Sequence, residues 1–532
     1  MPVNKQHINW ILLFLSGGLS LFFILLFYGS LNEHFLNQLF NTDSLYLSAL
    51  YNDFFIENGK VGSWVFNSSP NFVPDMLLYF PLNYFTGNFR LTTIVFSLLQ
   101  QILLLTLLYC LFRRFFGKNA PNYQALVFLF SIIFVLPFFL ANDYYLSFLF
   151  LSHTFHFGTF LMALLSLNLA FFYLDKKNNL ILALLIFIQI VAFLSDRLFL
   201  VLFTGPAFLT FALRWKNRQS LILAISQLCV ALIGFVLFNN MKGFFNLHLS
   251  MPHRFTEIGY FFDSIGVLID NFAFYFSNSS FISLMLILSF TSFVFTIIIV
   301  VKNYLKILFD EHIDIHLVYL LFSAFFIPAV IAAPLLNGNY TGFDTIRYIV
   351  FAFYLAVFNI PLILWFYRSK ISEQSIRLTG IILFVGLLGY GFFLTAKTNL
   401  GQQIRHLTNY YPELVESVDN VAIQEGLKFG LANYWDAKHI TMFSKSGVKI
   451  YAVKDNLKAH DHVANRDWFY GCSDCTIGEK EFNFILLNRF VDRDATNYFM
   501  NEEHKMIKND KLEILITKPF VMSRKTHRPA IF

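Results

Sequence analysis

Eleven polar side chains in an otherwise apolar chain of 532 residues have the types that proton transfer and anion binding need. They are Asp43, Asp53, Asp75, Asp143, His153, His156, Asp196, Arg197, Arg254, Asp344 and Arg347. Carboxylates and imidazoles can take up or deliver a proton at a reacting oxygen. Guanidinium groups grip a phosphate through two parallel hydrogen bonds. Such groups are costly beside a bilayer unless they face water or a protein interior, which makes each a site candidate.

Two of the aspartates share the stretch NTDSLYLSALYNDFF, residues 41–55. Taken as one helix, it places Asp43 at the end of an apolar face continued by Leu47, Leu50 and Phe54. Asp53 then lies about 15 Å further along the axis and is rotated by about 80°. This geometry separates the two, makes Asp43 the inward carboxylate and a candidate general base, and leaves Asp53 as an expected surface residue. The competing reading is a helix cap at Asn41, Thr42 or Asp43, although no Glu or Gln follows Asp43 by three residues to complete a capping box.

The other candidates carry plainer readings beside the chemical ones. Asp75 lies in PNFVPDMLLYFPLNYF (70–85), where three prolines imply an irregular loop leading into an interfacial helix. It would hold an acceptor or a cation, or cap that helix. His153 and His156, spaced i, i+3, could share a helical face and a metal, but no third ligand is evident and no metal site is assigned. Asp196–Arg197 is expected as a local ion pair, with a catalytic pair as the sharper alternative. Arg347–Tyr348, in NGNYTGFDTIRYIVF (337–351), suits a phosphate or an interfacial Arg beside a belt aromatic.

The elements that must position these groups are membrane helices. The chain is 57% hydrophobic and 14% charged, with mean hydropathy +0.58. Apolar runs near 8–29, 92–112, 123–140, 157–174, 180–195, 197–213, 220–239, 280–301, 317–335, 349–367 and 378–396 give about 11 transmembrane helices. The first, around Trp10–Tyr28, is too long for a signal-peptide core and reads as a span. With the N-terminus cytoplasmic, the inner segments up to residue 396 carry 14 Lys+Arg and 5 Asp+Glu, and the outer segments 6 and 11. That orientation follows the positive-inside rule and puts all eleven candidates on the outer face. Two outer segments are long: 30–90, which holds the opening stretch, and about 240–279, which holds His253 and Arg254.

At residue 397 the composition changes. Residues 397–532 carry 36 charged side chains, as many as the 396 residues before them. The expected architecture is therefore a polytopic α-helical membrane domain, 1–396, followed by a small extracytoplasmic α/β domain, 397–532. YPELVESVDNVAIQEGL (411–427) and DATNYFMNEEH (494–504) read as helices, and VKIYAV (448–453), FNFILL (482–487) and KLEILITK (511–518) as strands. Trp435, Trp468 and Tyr470 are of the kind that stack on sugars but are more often core residues. Cys472 and Cys475 would lie where oxidation can pair them. No basic tract suggests nucleic acid.

Several of these features together resemble a family. An early Asp (Asp43) stands in a long first outer loop, PNFVPDMLLYFPL follows, Ser195–Asp196 lies at mid-bundle, Arg347–Tyr348 opens a late span, and a soluble segment closes the chain. The layout resembles the GT-C superfamily of membrane glycosyltransferases, and within it the bacterial relatives of protein mannosyltransferases and of the lipid A aminoarabinose transferase. Many members carry an acidic pair in the first outer loop. Here Ser44 follows Asp43, which leaves Asp53, Asp75 or Asp143 as the second acid. The resemblance implies a protein of the bacterial cytoplasmic membrane that transfers a sugar from a polyprenyl-phosphate donor to a glycan, lipid or protein acceptor. Asp43 would be the base. Arg347, with Tyr348, Arg197 or a histidine, would hold the departing phosphate, and Asp75, Asp196, His153 and His156 would line the substrate site. A divalent cation is compatible with that chemistry, but no ligand pattern calls for one. Rival functions are a polysaccharide polymerase or ligase using His253–Arg254, a lipid-linked substrate transporter or flippase, and a non-catalytic scaffold.

Overall fold

The computed structural model describes residues 31, 33–116, 156–244, 248–249, 258–278, 280–309, 314–367, 405–471, 480–490, 498–499 and 504–530, with isolated positions in 17–25 and 382–393. Five described helices are long and apolar enough to cross a membrane: Phe89–Phe116, Phe157–Lys176, Arg218–Met241, Ser283–Lys302 and Ile315–Leu336. Asn179–Ser195, Leu200–Ala212 and Val350–Phe366 are shorter and equally apolar. The protein is thus a helical membrane protein. The expected span at 123–140 lies outside the described residues, and those at 8–29 and 378–396 lie largely outside them.

The helices pack through apolar side chains with a few buried polar links, which in an apolar surround hold one helix to the next. Ser323 donates to Asn359, and Asn359 donates to Thr296. The expected junction near Ser195 is a break: the helix Asn179–Ser195 ends there, and the chain resumes through a π-turn, Leu200–Thr204, into the helix Gly205–Ala212. Within the second long outer segment, Ile258–Asn278 forms a continuous helix, whereas His253 and Arg254 lie outside the described residues.

The stretch 41–55 is not one helix. Asn41 accepts from the backbone N–H of Ser44 and sets a turn, the α-helix runs only Tyr46–Tyr51, and a π-turn, Asn52–Ile56, follows. The side chain of Asp43 does not cap that helix.

The chain's last part forms a mixed sheet around parallel strands. β3 (Phe429–Ala432) lies between β4 (Lys449–Ala452) and β6 (Phe482–Leu486), parallel to both. β8 (Glu513–Met522) runs antiparallel to β6, to β7 (His504–Lys508) and to β9 (Pro529–Ala530). Two helices pack with it, Glu413–Glu425, ended by Gly426 at φ +68°, and Tyr434–Phe443. The helix expected over 494–504 lies largely outside the described residues, and its last residue, His504, begins β7.

A second, three-stranded sheet joins the C-terminal segment to the segment 30–90. β1 (Trp64–Phe66) pairs antiparallel with β5 (Ala464–Asn465) and parallel with β2 (His248–Leu249). Asp53 is the pin of that joint. Its carboxylate accepts from the indole N–H of Trp64, from Nδ2 of Asn465 at 2.8 Å and from the indole N–H of Trp468 at 2.7 Å. The expectation of a surface Asp53 is overturned: the residue is 3% exposed, because the buried indole of Trp64, the buried amide of Asn465 and the half-buried indole of Trp468 find their acceptor there. A Cβ on Gly59 would collide with the same carboxyl group.

Candidate functional site

Helix ends from distant parts of the chain converge on one cavity of about 510 Å³, within the usual range for a small-molecule site. The start of Phe157–Lys176 brings His156, the end of Asn179–Ser195 brings Asp196 and Arg197, and the end of Ile315–Leu336 brings Asn337 and Asn339. The 3-10 turn Phe343–Tyr348 brings Arg347 and Tyr348, and the first outer segment brings Asp43 and the run Asn67–Ser69. Lys176 closes the other end of one of these helices, Phe157–Lys176, and there it neighbours Arg113 and Arg114 at the end of Phe89–Phe116, where Arg114 pairs with Asp175.

Asp43 and Arg347 face each other. Nη1 of Arg347 lies 3.5 Å from Oδ2 of Asp43, and both side chains keep about a quarter of their surface open, 23% and 28%. The other carboxylate oxygen, Oδ1, accepts from the hydroxyl of Tyr434 at 2.8 Å. Tyr348 stacks near both partners of the site: its ring centroid is 5.3 Å from the Arg347 guanidinium carbon and 5.7 Å from the His156 ring.

Asp196 is a fully buried hub. It accepts from Ser69 at 2.6 Å, Thr159 at 2.7 Å and the backbone N–H of Leu198 at 2.9 Å, and Nδ1 of His156 lies 2.6 Å away. Burial pushes its carboxyl group up, but the His156 charge and these hydrogen bonds outweigh it and hold the carboxyl down at about 2. The expected Asp196–Arg197 ion pair does not form. Asp196 turns to His156, and the Arg197 guanidinium lies 4.8 Å over the ring of Phe238 on the cavity side. Adjacent residues at a helix end project in different directions, so the hub and the cation go separate ways.

Asp75 stands behind this hub rather than in the cavity wall. It is buried, accepts from Nε2 of Gln100 at 2.9 Å, and presses on the first turn of Phe157–Lys176, where a Cβ on Gly158 would collide with it. Burial, and next the charge of Asp196, push its carboxyl up to about 7. Asp75 therefore keeps its proton when folded at a pH where the unfolded chain has lost it, and stability falls as pH rises from about 4 through about 7. Asp75→Asn is expected to melt several degrees higher than the parent at pH 8, by a much smaller margin at pH 5, and level with it below about pH 4. Scanning fluorimetry at pH 8 and pH 5 checks this, and an equal shift at both would refute it.

Of the sequence candidates, Asp43, His156, Asp196, Arg197, Arg347 and Tyr348 share the cavity, and Asp75 lies behind it. His153 and Asp143 lie outside the described residues, as do Cys472 and Cys475. Among the described residues no group of three His, Cys, Asp or Glu side chains is placed to hold a metal ion. Sequence reasoning missed Tyr434, Ser69, Thr159, Asn71, Asn337 and Asn339. The two last sit in the same NGNYTGFDTIRYIVF run as Arg347, where a polar cluster against an apolar span was the available signal. Trp435 is exposed, Trp468 is bound to Asp53, and Tyr470 is buried with its hydroxyl 2.7 Å from His527. No protein-family model, curated protein or solved structure matches the chain.

Proposed function

We propose that the cavity transfers a sugar from a polyprenyl-phosphate donor to a hydroxyl-bearing acceptor on the outer face of a bacterial cytoplasmic membrane, in the manner of a GT-C glycosyltransferase. The observation that carries this reading is a carboxylate and two guanidinium groups, Asp43, Arg347 and Arg197, around one cavity at the ends of apolar helices. Lys176 at the opposite end of Phe157–Lys176, beside Arg113 and Arg114 of the neighbouring helix, favours that end as cytoplasmic, which would put the cavity and the C-terminal segment outside, in an eleven-span layout.

The chemistry is a single displacement. The acceptor oxygen attacks the anomeric carbon, its proton passes to Oδ2 of Asp43, and the bond from that carbon to the phosphate oxygen breaks with its electron pair. Arg347 and Arg197 stabilise the charge that grows on the departing phosphate. Arg347 is paired with Asp43. A phosphate that claims the guanidinium would release Oδ2 to act as base, so donor binding would prepare the acceptor side. Asn67, Ser68, Asn71, Asn337 and Asn339 supply the neutral hydrogen-bonding wall that a hydroxylated ring needs.

The test uses full-length protein in lipid nanodiscs, with polyprenyl phosphate as ligand and a panel of polyprenyl-phosphate hexoses and pentoses as donors. Arg347→Ala is expected to weaken polyprenyl phosphate binding by about 10- to 100-fold, the loss expected for a charge-assisted pair. Arg347→Lys should recover only part of it, since an ammonium cannot reproduce the two-pronged grip. Binding unaffected by either change would refute the phosphate role.

A further inference from the structure

The helix Tyr434–Phe443 lies almost four hundred residues from Asp43 in sequence and rests directly on its turn. Thr42, fully buried, donates its hydroxyl to the carbonyls of Tyr434 and Trp435 at 3.1 and 2.8 Å. Lys438 reaches back to the carbonyl of Thr42 at 3.4 Å and lies 5.7 Å from the centroid of the Tyr434 ring. The rings of His460 and His462 pack on Tyr434 at 5.0 and 5.8 Å. The aromatic ring is thus fixed from several sides, and its hydroxyl meets Oδ1 of Asp43 at 2.8 Å.

We propose that Tyr434 is a positioning residue for the base: it holds Oδ1 of Asp43 from behind, so that Oδ2 stays turned toward Arg347 and the cavity. This role rests on the transfer reaction proposed above. Two observations set it apart from a hydroxyl that merely fills the acceptor's place. Tyr434 is not part of the cavity wall. It lines, with Thr42 and Lys438, another space of about 30 Å³ that does not include Asp43, room for about one water and no substrate. Asp43 also sits in a turn, with no helix to fix its side chain, and the terminal torsion of an aspartate is soft. A carboxylate so placed needs an outside partner to stay within the narrow range of angles that proton transfer requires. The C-terminal segment is then part of the catalytic unit, beyond any part it has in holding an acceptor.

The experiment compares the full-length parent, Tyr434→Phe, Asp43→Asn and the double variant in nanodiscs, with polyprenyl phosphate as ligand. Without the Tyr434 hydroxyl, Asp43 turns both oxygens onto Arg347, and Tyr434→Phe should bind the lipid phosphate about threefold more weakly. In the Asp43→Asn background the same change should have no effect, because no carboxylate is left to turn. Transfer at saturating donor should fall about tenfold in Tyr434→Phe with an unchanged melting temperature. Tyr498→Phe, which removes another hydroxyl bond of the C-terminal segment, should match the parent in both assays. Binding equal to the parent in Tyr434→Phe, or the same loss in both backgrounds, overturns the positioning role and leaves the transfer reaction standing. A parent that binds no polyprenyl phosphate overturns both, and full transfer by Asp43→Asn removes the base that Tyr434 is proposed to hold.

Discussion

Asp43→Asn is expected to lower sugar transfer by about a thousandfold, the middle of the range for losing a general base, without loss of the donor's lipid phosphate. The amide keeps the volume of the carboxyl group and still offers Oδ1 to the Tyr434 hydroxyl, so the turn should stay docked. It cannot accept the acceptor's proton. It also ends the 3.5 Å ion pair between Arg347 and Asp43. Polyprenyl phosphate should therefore bind up to about fivefold more tightly, the worth of a partly exposed pair. Opposite signs in the two assays are the signature: a protein that is merely damaged loses both. Retained transfer would move the base elsewhere, and the nearest alternative is the Asp196–His156 pair, whose ring lies in the same wall. Loss of transfer in His156→Ala with an active Asp43→Asn would make that assignment.

The largest structural effect is expected from the other aspartate of the same stretch. Asp53→Ala leaves the two indole N–H groups of Trp64 and Trp468 and the amide of Asn465 without their acceptor, inside the joint between the first outer segment and the C-terminal sheet. Each of the two buried donors, Trp64 and Asn465, costs about 1–3 kcal/mol when orphaned and the half-buried Trp468 less, so the joint should weaken by roughly 2–6 kcal/mol. Neighbouring bonds share the load: Ser63 donates to Asp467, the backbone N–H of Arg466 donates to Ser63, and Lys449 pairs with Glu57 at 2.8 Å. None of them can satisfy the indoles. The expected outcome is faster protease attack on the C-terminal segment and a lower melting temperature, with the apolar helices still inserted. Asp53→Asn should fall between, since one of its two terminal atoms is a donor facing donors. A C-terminal segment as protected as the parent's in Asp53→Ala would show that the joint rests on the strand pairing of β1 with β5 instead.

The contrast between these two residues shows how far local pattern reaches. Helical spacing separated Asp43 from Asp53, and the structure keeps them apart, but not because one helix carries both. A turn, a six-residue helix and a π-turn intervene. The inference that Asp53 is exposed failed because its partners, Trp468 and Asn465, lie more than four hundred residues away and leave no trace in the surrounding sequence. Arg347 and Asp196 were legible as site candidates for a simpler reason: a charge at the end of an apolar run is conspicuous. Tyr434 was not, since a tyrosine in a mixed polar segment has many ordinary uses.

Sequence by itself determined the membrane class, the approximate ranges of the apolar helices that are described, and the helix at Glu413–Glu425 with the strands at 449–452 and 482–486 and the first part of Glu513–Met522. These follow from hydropathy and short-range periodicity, which each segment carries within itself. Only the tertiary structure decided that Asp43 meets Arg347, that Asp196 turns to His156 and away from Arg197, that Asp75 hides behind them, and that the C-terminal segment reaches Asp43 through Tyr434. Those outcomes depend on which helix ends and loops pack together. That choice is made by the shape and burial of the whole assembly, and no single stretch of the chain encodes it.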